Sequence, residues 1–140
     1  MPKTRTSPGE FEVIKDILSP LAAATPGALG LTDDAALLSL QVGKELVLTK
    51  DAMVAGVHFF ENDRPDYIAK KLLRTNLSDL AAMGSEPLGY LLATAWTDAC
   101  DEQWVRCFAS GLKEDQDQFQ IGLLGGDTVK TPGPLTLSLT

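Results

Sequence analysis

Five aspartates stand where a chain ordinarily places apolar residues or tight turns, and they limit how this one can fold. Asp33 and Asp34 sit in Gly30-Leu-Thr-Asp-Asp-Ala-Ala, Asp51 closes Leu46-Val-Leu-Thr-Lys-Asp, Asp79 falls inside a helical pattern, and Asp127 follows Gly125-Gly126. A carboxylate in an apolar setting costs free energy unless it is paired, hydrogen-bonded or bound to a metal. Few basic residues lie near these positions in the sequence, so the pattern points to a pocket for divalent cations. Hard cations such as Mg²⁺ prefer oxygen ligands and commonly bring phosphates with them. Phosphoryl chemistry is therefore the first hypothesis.

Composition narrows the class. The 140 residues suit one domain, and 44% apolar with 22% charged residues is ordinary for a soluble globular protein. No run approaches the ~18 apolar residues that span a bilayer, and no signal-peptide core is visible, so a cytoplasmic location without a membrane partner is expected. The net charge of -7 argues against a nucleic-acid partner, which needs a basic patch. Cys100 and Cys107 lie seven apart in an expected helix, about 10 Å along its axis and too far to bridge, so buried free thiols are expected. The single histidine, His58, excludes a multi-histidine metal site within one chain.

Punctuation and periodicity place the elements. Ser7-Pro-Gly-Glu10 reads as a capping box opening a helix that Pro20 ends, followed by a loop through Gly30. Residues 35–40 and 45–51 read as two strands of a hairpin turning at Val42-Gly43-Lys44. Residues 65–84 carry the strongest helical pattern, with Ile68, Leu72, Asn76, Leu80 and Met83 on one stripe and Gly84 as the cap. Asp79 projects onto that stripe and is expected to be buried. A strand over 88–96, a helix over 101–118, a short strand over 121–124 and a last alternating segment over 135–140 complete the pattern. That final strand has nothing after it, which suggests part of a longer polypeptide.

Each chemistry-bearing position also has a plainer reading. Asp33-Asp34 can form an Asx-turn or cap, or supply one ligand while its neighbour orients the loop. Thr49 and Asp51 share one strand face and can share a cation, or Asp51 can face water. Asn76 and Asp79, three apart, can form a satisfied polar network or join other aspartates around a cation. Gly125-Gly126-Asp127-Thr128 can bring backbone amides to a phosphate, or be a turn. His58 alone reads as a surface or half-buried histidine. A Walker loop and protein-kinase motifs are absent.

Taken together, Gly30-Leu-Thr-Asp-Asp-Ala-Ala-Leu-Leu, Thr49-Lys-Asp-Ala-Met-Val-Ala-Gly-Val-His-Phe59, Asn76-Leu-Ser-Asp-Leu-Ala-Ala-Met-Gly84 and Gly125-Gly-Asp-Thr128 resemble, in order and spacing, the thiamine-monophosphate kinases. The wider superfamily includes aminoimidazole ribonucleotide synthetase and selenophosphate synthetase. The resemblance implies an α/β (α+β) fold like the N-terminal domain of that synthetase: a mixed, mostly antiparallel sheet with helices on one face, its edges pairing in a homodimer. It implies ATP-dependent phosphorylation of thiamine monophosphate to thiamine diphosphate by direct transfer of the γ-phosphoryl group, with Mg²⁺. By motif position, Asp34, Thr49, Asp51, Asp79 and Asp127 would ligate metal. Gly126 and Asp127 would contact ATP, His58 would lie near the thiamine phosphate, and no protein nucleophile is implied. Phe119 stands where the family often has a tyrosine beside the nucleotide, and Lys50 replaces a small hydroxyl residue before Asp51. The family enzyme is about twice this length, so residues 1–140 would be its N-terminal ATP- and Mg-binding, dimerisation domain, without the C-terminal domain. Another ATP-dependent enzyme of the superfamily, or a silent dimerisation module, are the alternatives.

Overall fold

The computed structural model describes residues 10–140, so the expected capping serine, Ser7, lies outside the described residues. Helix α1 (Glu10–Val13) widens into a π-turn over Ile14–Leu18 and continues as α2 (Ser19–Ala22). The sequence predicts that Pro20 ends this helix, and it does not. Proline has no amide hydrogen to donate. The wide turn ahead of it lets the Ser19 N–H reach the Ile14 carbonyl, and Pro20 occupies the first turn of α2, where no donor is needed. Val13, Ile17, Leu18, Leu21 and Ala22 are carried into the core by this path. A short 3₁₀ stretch, Pro26–Leu31, follows where a loop is expected.

Four strands form one mixed sheet in the order β1-β4-β2-β3, with β1 at Asp51–Val54, β2 at Gly89–Trp96, β3 at Gly122–Lys130 and β4 at Thr136–Leu139. The β1–β4 and β4–β2 pairs are antiparallel and β2–β3 is parallel, matching the mostly antiparallel sheet expected. Helix α3 (Pro65–Ala82) and helix α4 (Glu102–Phe119) cover one face. Alternation along β2 buries Tyr90, Leu92, Thr94 and Trp96 beneath them and leaves Leu91 and Ala93 on the open side. The last strand lies between β1 and β2 and is paired on both edges.

Two expectations fail in this region. The hairpin over 35–51 does not form: residues 42 and 43 turn, with the Lys44 N–H donating to the Gln41 carbonyl at 3.1 Å, but pairing begins only at Asp51. Its arms are tied near their ends, Leu37 to Gly27 and Thr49 to Asp79, and between these ties they leave a cavity of about 650 Å³ against the later turns of α3 and the start of β2. A two-stranded ribbon is at best marginal without a third partner, and Leu37 and Leu48 remain 64% and 72% exposed. The strand expected at 121–124 runs on through Gly125-Gly126-Asp127 to Lys130, so those glycines are not a terminal turn. A one-residue shift opposite Tyr90 and Leu91 places Leu124 as the extra residue and lets pairing resume at Gly125.

Side-chain bonds tie the helices to each other and to the sheet. Arg74 on α3 grips the fully buried Asp115 on α4 through two bonds of 2.9 and 2.7 Å. Gln116 donates to the Tyr90 hydroxyl at 2.9 Å, and burial pushes that phenol far above its ordinary range. Trp96, Trp104 and Phe108 meet at ring-centre distances of 5.5 Å. Asp101 caps α4 by accepting the Trp104 N–H. Both cysteines are free. Cys100 is buried just ahead of α4 rather than inside it, and Cys107 is half-buried within the helix.

Removing the guanidinium would strand a buried carboxylate, which is costly even where the partner is partly screened. Arg74→Leu is therefore expected to lower stability by about 2 kcal/mol, less than a fully buried pair because Arg74 is half-exposed. Urea unfolding of the two chains measures this, and an unchanged midpoint would refute it.

Candidate functional site

The aspartates are positioned by three kinds of element. Asp33 and Asp34 follow the 3₁₀ stretch in a bend and are exposed. Asp51 opens β1 and is half-buried, paired with Leu139, whose own partner in β2 is Leu92. Asp127 lies in β3 opposite Ala93, is exposed, and accepts the Thr128 N–H at 3.0 Å. Because paired residues share a face, Asp127 belongs to the open side with Ala93 and Ala52, and Asp51 to the side that carries the helices.

Asp79 is exposed, against the expectation that its stripe buries it. A helical projection assigns a residue to a stripe but is silent about what lies opposite it. Ile68, Leu72 and Leu73 are buried under the sheet, whereas Asp79 belongs to the last turns of α3, where Met83 is 70% exposed. Asp79 accepts a bond from the Thr49 hydroxyl at 3.1 Å, joining two of the expected ligands. Asn76 is buried. Its amide donates to the Leu72 carbonyl at 3.0 Å, but its oxygen has no partner among the described residues, so the polar network is only half satisfied. Lys50 donates to the Thr140 hydroxyl at 3.1 Å.

Asp51 and His58 meet in a second cleft of about 370 Å³, lined also by Ala52, Met53, Val57, Lys71 and Thr75. His58 is exposed but not loose: its Nδ1 accepts the Val54 N–H at 3.0 Å. Lys71 reaches this cleft from α3, where sequence periodicity marks it only as part of the polar side. Nothing in its spacing distinguishes it from a solvated lysine.

Gly126 has a steric requirement. A Cβ there would lie 1.7 Å from the Leu92 carbonyl oxygen, so any side chain drives β3 away from β2. Gly126→Ala is expected to cost about 3 kcal/mol, and to unpair β2 and β3 around the shifted register. Hydrogen exchange at the amides of β3 reads this out, and full protection in the variant would contradict it.

As a donor set, Asp34, Thr49, Asp51, Asp79 and Asp127 offer only carboxylate and hydroxyl oxygen, the chemistry that suits Mg²⁺. Thr49 and Asp79 are brought together and Asp51 and His58 share a cleft. Among the described residues, no group of three or more His, Cys, Asp or Glu side chains is close enough to hold a metal ion. The donors match the cation in kind, and the single chain does not gather them.

Residues 32–140 match the model of the AIR synthase related protein, N-terminal domain. The chain belongs to that family. It is 55% identical over 133 residues to thiamine-monophosphate kinase of Caulobacter vibrioides, covering 95% of this chain and 38% of the relative. Against the Escherichia coli K12 thiamine-monophosphate kinase it is 38% identical over 132 residues, covering 94% of this chain and 40% of the relative. The crystal structure of thiamine-monophosphate kinase from Stenotrophomonas maltophilia K279a superposes with a TM-score of 0.78 at 41% identity, over 96% of this chain and 42% of that one. AaThiL complexed with AMPPCP and TMP gives a TM-score of 0.67 at 27% identity, over 94% and 40%. The chain thus spans about two-fifths of the length of the relatives it matches. No helix among the described residues is long and apolar enough to cross a membrane.

Proposed function

We propose that this chain is the N-terminal, nucleotide- and metal-binding part of a thiamine-monophosphate kinase, which phosphorylates thiamine monophosphate to thiamine diphosphate with ATP. The observation that carries this reading is the 55% identity to the Caulobacter kinase across 95% of this chain. The four ordered motifs fall within the matched region, and a neighbour of the same fold was solved with AMPPCP and TMP. Residues 1–140 supply part of the site, and a C-terminal domain supplies the rest.

In this reading Asp34, Thr49, Asp51, Asp79 and Asp127 hold Mg²⁺. Gly126 and Asp127 meet ATP, and His58 meets the substrate phosphate. When bound, Mg²⁺ neutralises phosphate charge and helps align the acceptor oxygen for in-line transfer of the γ-phosphoryl group. Asp34, Asp51, Asp79 and Asp127 carry about -4 when ionised, and ATP carries roughly as much again. Neither protein nucleophile nor strong base is required, because a phosphate monoester is already substantially ionised near neutral pH. His58 therefore orients the acceptor, and Thr49 fixes the Asp79 carboxylate through the bond it already makes.

A homodimer belongs to the same reading. The open sheet face, with Leu91 and Val129, and the unpaired 35–50 arms, with Leu37, Leu38 and Leu48, leave apolar surface for a second copy to cover. That copy would bring its own aspartates toward this chain's, which is how a donor set dispersed in one chain becomes a site. The cytoplasm, where ATP and Mg²⁺ are both plentiful, is the location that follows.

The test uses the kinase joined to its C-terminal domain. Asp51→Asn and Asp79→Asn are each expected to weaken Mg²⁺-dependent ATP binding at least about tenfold, the loss expected for one charged ligand. Unchanged nucleotide affinity in both, measured by calorimetry, would defeat the assignment. The 140-residue chain alone is expected to make no thiamine diphosphate, and detectable product would overturn the division of the site.

A further inference from the structure

The turn that carries His58 is closed from every side. The His58 N–H donates to the Val54 carbonyl at 2.9 Å, and the Val57 N–H donates to the same oxygen at 3.1 Å. Gly56, at φ +78°, donates to the Phe59 carbonyl at 2.8 Å, and buried Ala55 and Phe59 bridge and pin both ends to the core. The ring is fixed too, because its Nδ1 accepts the Val54 N–H. An imidazole nitrogen that accepts carries no proton, so the neutral ring must carry its hydrogen on Nε2. A side chain from outside also holds this turn: the Lys71 ammonium, from α3, donates to the His58 carbonyl oxygen. Lys71 and His58 then line the cleft that Asp51 also enters.

We infer that Lys71 is a positioning residue for the phosphoryl acceptor. By holding the His58 carbonyl it keeps the imidazole as a fixed Nε2–H donor over the Asp51 cleft, where a phosphate oxygen of the acceptor accepts that hydrogen. The inference rests on the proposed kinase reading for the identity of the acceptor, and on the contacts above for the role of Lys71. Its position also explains how an exposed histidine keeps one orientation. The backbone bonds tie the turn to its own strand, and a long side chain from a packed helix ties the His58 carbonyl to α3 as well. The Lys71 carbonyl accepts the Thr75 hydroxyl at 2.6 Å. The lysine therefore springs from a turn of α3 that is itself tied.

The chain has a single histidine, so isotope-labelled histidine gives one imidazole spin system. Long-range proton–nitrogen NMR correlation then reads its tautomer directly. Wild type and Lys71→Arg are expected to show the Nε2–H form alone, and Lys71→Met a mixture of tautomers. Titrating thiamine monophosphate into the kinase joined to its C-terminal domain, where the His58 signal is the one that His58→Gln removes, should perturb the Nε2–H signal in wild type and in Lys71→Arg. In Lys71→Met the midpoint should be weaker by roughly tenfold, as for loss of a hydrogen bond from a charged group. A single Nε2–H form with wild-type response in Lys71→Met overturns the positioning role. Should Lys71→Met lose its far-ultraviolet dichroism, Lys71→Leu, which also has no donor, carries the same two outcomes. A wild-type ring that ignores thiamine monophosphate overturns the acceptor reading of the cleft and the donor role with it, and the tautomer comparison still decides whether Lys71 holds the turn.

Discussion

The pairing of β4 on both its edges is the constraint on which the rest of the structure depends. Thr136–Leu139 lies between β1 and β2, so the strand that begins with Asp51 joins the sheet only through the last strand of the chain. Leu137 and Leu139 are buried at this seam, with Met53 and Leu92 beside them. Everything at the 51–59 end follows from it. Asp51 is placed opposite Leu139, the Ala55 amide reaches the Leu135 carbonyl at 2.9 Å, and the His58 turn springs from the end of that strand. Withdrawing β4 would leave β1, which carries Asp51, Ala52 and Met53 of the cleft, without a hydrogen-bonded neighbour.

Against that seam, the two long helices could be read from the sequence and the strand pairing could not. Ile68 and Leu72 on α3, and Val105, Phe108 and Leu112 on α4, recur at helical spacing because each helix packs a continuous stripe on one sheet face. That signal is local. The insertion of β4 between β1 and β2 is not, since it joins residues more than eighty positions apart. Nor was the run of β3 through Gly125-Gly126-Asp127 legible, because paired glycines signal a turn unless a neighbouring backbone needs the space. Here the Leu92 carbonyl needs it. Pro20 misled for a similar reason: the rule against proline inside helices assumes regular turns, and a π-turn relaxes it.

The candidate site was legible in residue type more than in arrangement. The motifs named Asp34, Thr49, Asp51, His58, Asp79, Gly126 and Asp127, and family membership supports the fold in which they sit. The contacts among them, Thr49 to Asp79 and His58 to the Val54 backbone, depend on side-chain reach that no spacing rule encodes. Lys71 left no signal at all, since a lysine on a helix exterior is the commonest of residues.

Exposure spares four of the five aspartates the cost of burial. Unpaired carboxylates are costly in an apolar interior, yet Asp33, Asp34, Asp79 and Asp127 are exposed and water solvates them without a cation. The carboxylates that do lie in the interior, Asp66 and Asp115, are held by Arg64 and Arg74. So these exposed carboxylates need no metal in the folded chain, and stability is separable from the metal binding proposed above. The requirement for cations arises only when anionic phosphates, or the acidic groups of a second copy, are brought against these carboxylates. At an effective dielectric of 20, two such charges at ~4 Å repel by about 4 kcal/mol, so several of them cannot meet unless divalent ions enter with the nucleotide. On the proposed kinase reading, a domain arranged this way folds first and acquires its metals with its substrate.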